Sequence, residues 1–253
     1  MIEAWQFPLL FGTGLLAGFV DSIAGGGGLI TLPVLLSFGF DPQAALGTNK
    51  LQASFGSGSA AWHYAAAKTV PLPDCARGFL YSVIGAAIGT LVVQRLRPAL
   101  LGHAIPVLLL VVAAYVLLKP NLGAADLHAR MERGWFDLIF GLCIGFYDGF
   151  FGPGTGTFWT MAFMLGLGFN MTRATGYTKV MNFGSNLSAL VFFLLRGKVD
   201  FAAGLAMGMG ELIGARIGSR MVVTKGTRFI RPVFISVVLA LTARLLYESY
   251  RHR

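Results

Sequence analysis

Charge is scarce in this sequence, and acid scarcest of all. Its 253 residues hold 20 Lys and Arg but 11 Asp and Glu, so 12% are charged while 55% are hydrophobic. A soluble domain needs about 25% charged residues to cover its surface, which excludes an ordinary water-soluble globule. Cysteine is nearly absent. Cys75 and Cys143 stand alone, without CxxC or metal-ligand spacing, which removes support for redox chemistry and for a bound metal. No paired carboxylates and no Ser-His-Asp set are visible. The glycine-rich segment 152–156 is not followed by Gly-Lys-Ser/Thr or preceded by a strand, so it is no phosphate loop. The chain reads as a non-enzyme with no cofactor, and any transport it performs is driven by gradients. The net charge of +9 comes from basic residues scattered singly through short loops, which suits acidic lipid headgroups and gives no nucleic-acid patch. The start, Met1-Ile-Glu-Ala-Trp, lacks a positive n-region, so the first apolar stretch is expected to stay in the protein.

Long apolar runs are what the sequence has instead. Crossing a hydrocarbon core of ~30 Å takes ~20 apolar residues at ~1.5 Å each. Residues 43–67, 78–93, 100–118, 136–151, 173–195 and 232–247 qualify, and charged residues punctuate the gaps between them. The fold expected is an all-α, multi-pass integral membrane protein.

The chain also resembles itself. Gly14-Leu-Leu-Ala-Gly-Phe-Val-Asp21-Ser-Ile-Ala-Gly25-Gly-Gly27 matches Gly141-Leu-Cys-Ile-Gly-Phe-Tyr-Asp148-Gly-Phe-Phe-Gly152-Pro-Gly154 at seven positions, both aspartates included. Gly39, Phe40, Ala45, Gly47, Lys50, Ser59 and Ala60 then match Gly168, Phe169, Ala174, Gly176, Lys179, Ser188 and Ala189, in a register moved by two residues. Gly85-Ala-Ala-Ile-Gly-Thr90 matches Gly214-Ala-Arg-Ile-Gly-Ser219 in that same register. Glycine-rich sequence could imitate one such block, but not three in order with shared charged residues. The chain therefore divides into a first repeat, 1–119, a linker, 120–133, and a second repeat, 134–253. Each half reads as a broken glycine-rich hairpin followed by about three transmembrane helices. If the hairpins re-enter their own side, the halves are inverted; if both arms cross, the halves are parallel. The Lys and Arg count in loops favours inversion, with the linker and the 224–231 loop inside.

Breaks at matching places in two halves point to a binding site. A gap frees backbone N–H groups and exposes a helix N-terminus worth roughly half a positive charge, and lipid satisfies neither. The breaks fall at Gly25, Gly26, Gly27 and Gly28, and at Gly152, Gly154, Thr155 and Gly156. Runs of glycine cost ~1 kcal/mol per residue in a helix, so these clusters read as breaks, whereas Gly85 and Gly89 read as close helix contacts.

Lys50 and Lys179 hold equivalent places inside apolar segments. A membrane lysine costs on the order of 2.5–3.5 kcal/mol at the centre. It either snorkels to the headgroups or serves a site, and two at equivalent positions favour an anion site. Thr48, Asn49, Gln52, Ser54 and Ser57 lie near the first, and Asn182, Ser185 and Asn186 near the second. Such groups bind oxyanions and also join helices. Asp21 and Asp148 end the first hairpin arms. Their carboxylates are expected to cap the following glycine loop, with proton coupling as the alternative role. Glu211 is read as pairing with Arg216, and His63 and His103 as packing or interface residues.

At these residues the sequence resembles a known family. Gly18-Phe-Val-Asp21-Ser-Ile-Ala-Gly25-Gly-Gly-Gly28-Leu-Ile-Thr31-Leu-Pro33, then Ala45-Leu-Gly47-Thr-Asn-Lys50, is similar to the signature of the sulfite exporter TauE/SafE family. Residues 148–156 and Ala174-Thr-Gly176-Tyr-Thr-Lys179 fit its duplicated pattern. The resemblance implies a bacterial inner-membrane permease for sulfite, sulfonates, sulfoacetate or related anions. Pro153 and Thr155 replace glycines of the second hairpin, so an asymmetric site is expected. The reading is a secondary transporter working by alternating access, with export expected. Its site would be formed by the two glycine clusters with Thr48, Asn49, Lys50, Gln52, Lys179, Asn182 and Asn186. The alternatives are a passive anion channel and a scaffold subunit without transport. The partners expected are a small anion, the bilayer and, as an option, a second copy in a homodimer.

Overall fold

The computed structural model describes residues 3–96 and 128–225. Helices α1 (Gln6–Ala24), α2 (Gly27–Ser37), α3 (Pro42–Ala66) and α4 (Ala76–Val93) come from the first half. Helices α5 (Arg133–Phe150), α6 (Thr155–Leu167), α7 (Met171–Leu195) and α8 (Phe201–Lys225) come from the second. No strand occurs among the described residues. The expected spans at 43–67, 78–93, 136–151 and 173–195 correspond to α3, α4, α5 and α7. Those at 100–118 and 232–247 lie outside the described residues, as do His103, most of the linker and most of the 224–231 loop.

Among the described residues three helical stretches, Gln6–Ala24, Leu72–Val93 and Met171–Leu195, are long and apolar enough to cross a membrane. Their surroundings are inside out relative to a soluble protein. Trp62 and Leu195 are 72% and 77% exposed, while Lys50, Lys179, Asp148 and Glu211 are buried. Lipid explains both halves of that pattern, because it solvates hydrocarbon and leaves charge to be satisfied internally.

Each hairpin closes on the side where it began. The Trp5 ring before α1 meets the Phe38 ring after α2 edge-on, with centroids 6.1 Å apart. Arg130 and Met131, before α5, both donate backbone N–H groups to the Gly166 carbonyl at the end of α6. This matches the re-entrant alternative. At about 1.5 Å per residue the returning arms are too short to span: α2 has 11 residues and α6 has 13.

The equivalent helices α3 and α7 run antiparallel, consistent with inversion. The start of α3 meets the end of α7, where Lys198 Nζ lies 3.4 Å from Asp41 Oδ2. The start of α7 meets the end of α3, where Gly176 abuts Tyr64. Local contacts repeat with the symmetry of the sequence. Asp41 caps α3 through Ala44 N–H, as Asn170 caps α7 through Arg173 N–H. Ser59 donates to the Leu212 carbonyl, as Ser188 donates to that of Val83.

The halves interlock through glycine seams. Gly14 and Gly18 of α1 lie against α8, and Gly210, Gly214 and Gly218 of α8 lie against α1. Gly141, Gly145 and Gly149 of α5 meet α4 in the same manner, and Gly85 and Gly89 of α4 answer them. A side chain at most of these positions would collide with the facing backbone, so small residues let the helices touch. Gly85 and Gly89 thus act as close contacts, as the sequence suggested.

Candidate functional site

The two hairpin tips meet in the middle of the described bundle. Gly25, with φ of +72°, packs on Gly156, and a Cβ on Gly156 would lie 2.7 Å from Gly25 Cα. Gly28 packs on Pro153. Helices α2 and α6 begin at Gly27 and Thr155, inside the glycine clusters, so the breaks are shorter than the sequence suggested and both N-termini start at this junction. A polar cavity of about 30 Å³ lies here.

Of the residues singled out from sequence, Gly26, Gly28, Asn49, Lys50, Gly152, Gly154, Thr155, Gly156, Asn182 and Asn186 line this cavity, together with Asp21 and Asp148. Gly25 and Gly27 shape the tip instead, with Gly27 close to Asp21 and Ala17. Gln52 donates to Thr31 and Asn49, which ties α3 to α2. Thr48 accepts the Asp200 N–H at the start of α8. Ser54 and Ser57 bond to carbonyls of their own helix. The polar cluster therefore divides between cavity and helix contacts.

Neither lysine snorkels. Lys50 and Lys179 are 1% and 0% exposed, and each reaches an aspartate of the opposite half. Lys50 Nζ lies 2.6 Å from Asp148 Oδ1, and Lys179 Nζ lies 2.8 Å from Asp21 Oδ2. These crossed pairs answer the cost of burying charge. The pattern of one half alone contains no sign of them.

The aspartates differ in their other partners. Asp21 Oδ1 accepts the N–H groups of Gly26 at 3.0 Å and Gly27 at 3.3 Å, the loop-capping role expected of it. Asp148 instead accepts hydroxyl bonds, from Thr155 at 3.3 Å and from Ser185. The asymmetry anticipated from Pro153 and Thr155 is present.

Glu211 requires a correction. It is buried and lines the cavity, while Arg216 is exposed, and no ion pair joins them among the described residues. Five residues along a helix turn about 140° away from the starting face, whereas three or four bring side chains together. Ala53 is the other lining residue missed from sequence. The residue at Glu211's repeat position is Ser82, so no matching charge announced it. Among the described residues no group of acids, cysteines and histidines is arranged to hold a metal ion.

Two broken hairpins meeting at their tips, an exposed apolar surface and a central polar cavity with buried ion pairs are the parts of a multi-pass membrane transporter. The chain belongs to the sulfite exporter TauE/SafE family, which it matches over residues 10–245. It is 44% identical over 250 residues to the probable membrane transporter protein YfcA of Escherichia coli, covering 99% of this chain and 93% of that one. A probable membrane transporter protein of Sinorhizobium is 46% identical over 239 residues, covering 94% of this chain and 92% of that one. One of Haemophilus influenzae is 42% identical over 241 residues, covering 95% and 94%. No solved structure matches the chain significantly. The protein is thus a bacterial inner-membrane transporter.

Proposed function

We propose that this transporter carries a small sulfur oxyanion or organosulfonate, binding it between the two hairpin tips. The observation that carries the reading is the junction itself: two helix N-termini and Lys50 around one polar cavity. An ammonium has three donors, and Lys50 uses two of them, on Asp148 and on Asn186 Oδ1 at 3.1 Å. Among the described residues one remains for an anion, beside the N-terminus of α6; at the first break Asp21 already takes the Gly26 and Gly27 N–H groups. Asn49, Asn182 and Asn186 supply hydrogen bonds that orient it. The Asn182 Oδ1 atom has no partner among the described residues; such an atom suits a hydroxyl or a water accompanying the ion.

A cavity needs roughly 10–15 Å³ of this kind to hold one water, so about 30 Å³ holds water but not a sulfur oxyanion. The substrate enters in a second arrangement, with one half displaced against the other along the glycine seams. That favours alternating access over a standing channel. A secondary carrier runs as its gradients dictate, and export is the direction the family's name gives.

The test is counterflow in proteoliposomes loaded with sulfite, sulfate or sulfoacetate. A carrier of this class shows saturable exchange of sulfite or the sulfonate. Flux that rises linearly with concentration indicates a channel, and an absence of flux for every anion removes the reading.

A further inference from the structure

We propose that Glu211 carries a proton that moves together with the anion. The inference rests on the anion-carrier reading above. Glu211 is 1% exposed and lines the cavity, and its Oε2 has no hydrogen-bond partner among the described residues. The side chain lies between Gly18 of α1 and Gly56 of α3. A Cβ on either glycine would press into its Cγ, and one on Gly56 would come within 2.6 Å of its Oε1. The neighbouring helices thus leave room for this carboxyl and provide no cation dedicated to it.

The repeat makes the arrangement more telling. Gly56 corresponds to Ser185, and Glu211 to Ser82, in the register that relates Lys50 to Lys179. Where α4 faces α7, Ser185 donates to Asp148 and Ser82 to the Met181 carbonyl. Where α3 faces α8, the equivalent contact, the first serine is glycine and the second is an acid. The substitution pair adds a carboxyl to the cavity that Asp21, held by Lys179, also lines.

The charges around the cavity then do not cancel. Lys50 balances Asp148 and Lys179 balances Asp21, each through a direct bond, which leaves Glu211 over. Other titratable groups on the packed elements do not alter this. Tyr64 of α3 donates its hydroxyl to the Ser22 carbonyl. Arg216 and Arg220 of α8 are exposed, and His63 of α3 is half-buried and does not line the cavity. With Glu211 ionised the cavity carries one negative charge, and an anion entering it meets repulsion in a medium that screens poorly. With Glu211 protonated the cavity is neutral and accepts the anion. Binding of one anion thus requires one proton on Glu211, and the two cross together. When such a carrier exports, it runs down the anion's own gradient.

The experiment compares wild type with Glu211→Gln, using methanesulfonate, whose own charge does not change across the pH range tested. In wild type, affinity falls as pH rises, and an imposed pH gradient drives accumulation on the alkaline side. In Glu211→Gln, affinity no longer follows pH and gradient-driven accumulation is lost, whatever the change in exchange rate. Calorimetry in two buffers of different ionisation enthalpy gives a second readout, with proton uptake on binding in wild type and none in the variant. Accumulation and proton uptake unchanged in the variant would overturn the proposal while leaving the carrier reading intact. So would accumulation in wild type that follows a sodium gradient but ignores pH. Wild type that exchanges no anion at all would overturn the carrier reading and this proposal with it.

Discussion

Removing Lys50 alone should destabilise the protein far more than removing Lys50 and Asp148 together. The pair is buried, with side chains 1% and 4% exposed, and its partners lie 98 residues apart on opposite halves. Lys50→Met leaves the Asp148 carboxyl with two hydroxyl donors and no cation. Breaking one partner of a buried pair costs about 3–5 kcal/mol, whereas replacing both by neutral groups is often close to neutral. For a chain of this size 1 kcal/mol moves Tm by roughly 2–4 °C, so Lys50→Met should lower Tm by roughly 6–20 °C. Adding Asp148→Asn should restore most of the loss. The surface pair Lys198–Asp41, 38% exposed on both sides, serves as the control. Its removal by Lys198→Gln should cost no more than about 1 kcal/mol. Thermal unfolding in detergent, followed by intrinsic tryptophan fluorescence, reads all four proteins. The reasoning fails if Lys50→Met behaves like Lys198→Gln, or if the two substitutions add instead of compensating.

Three further outcomes follow from the packing. Gly214→Val should lower stability by about 3 kcal/mol or prevent folding, because its side chain would collide with the Leu15 carbonyl of α1; expression and monodispersity report it. Gly156→Ala forces the hairpin tips apart at Gly25, so sulfite counterflow should fall at least tenfold in vesicles that still contain folded protein. Unchanged exchange would place the site elsewhere. Asp41→Ala removes the α3 cap and should cost about 1 kcal/mol, a shift that the melting assay resolves.

The sequence made the architecture legible where composition and repetition carry it. Four of the six apolar runs, a break within each glycine cluster, and the equivalence of Lys50 with Lys179 reappear among the described residues. What it did not show was partnership across the halves. Lys50 with Asp148, and Lys179 with Asp21, are contacts between elements far apart in the chain, and neither periodicity nor spacing encodes them. The aspartates were legible in part. Asp21 caps its glycine loop as its position suggests, but Asp148 turns to Thr155 and Ser185 because its loop differs. Glu211 was misread because a nearby arginine in sequence lies on another side of the helix. Its real neighbours, Gly18 and Gly56, become visible only when α1, α3 and α8 are packed together.

The most direct test of the anion site uses the stable, neutral pair Lys50→Met with Asp148→Asn in proteoliposomes. If Lys50 supplies charge to a bound anion, the double variant should remain folded and lose saturable sulfite and sulfonate exchange. If that protein exchanges these anions with wild-type affinity and rate, the lysine only ties the halves together, and the cavity between the hairpin tips is not where the anion binds.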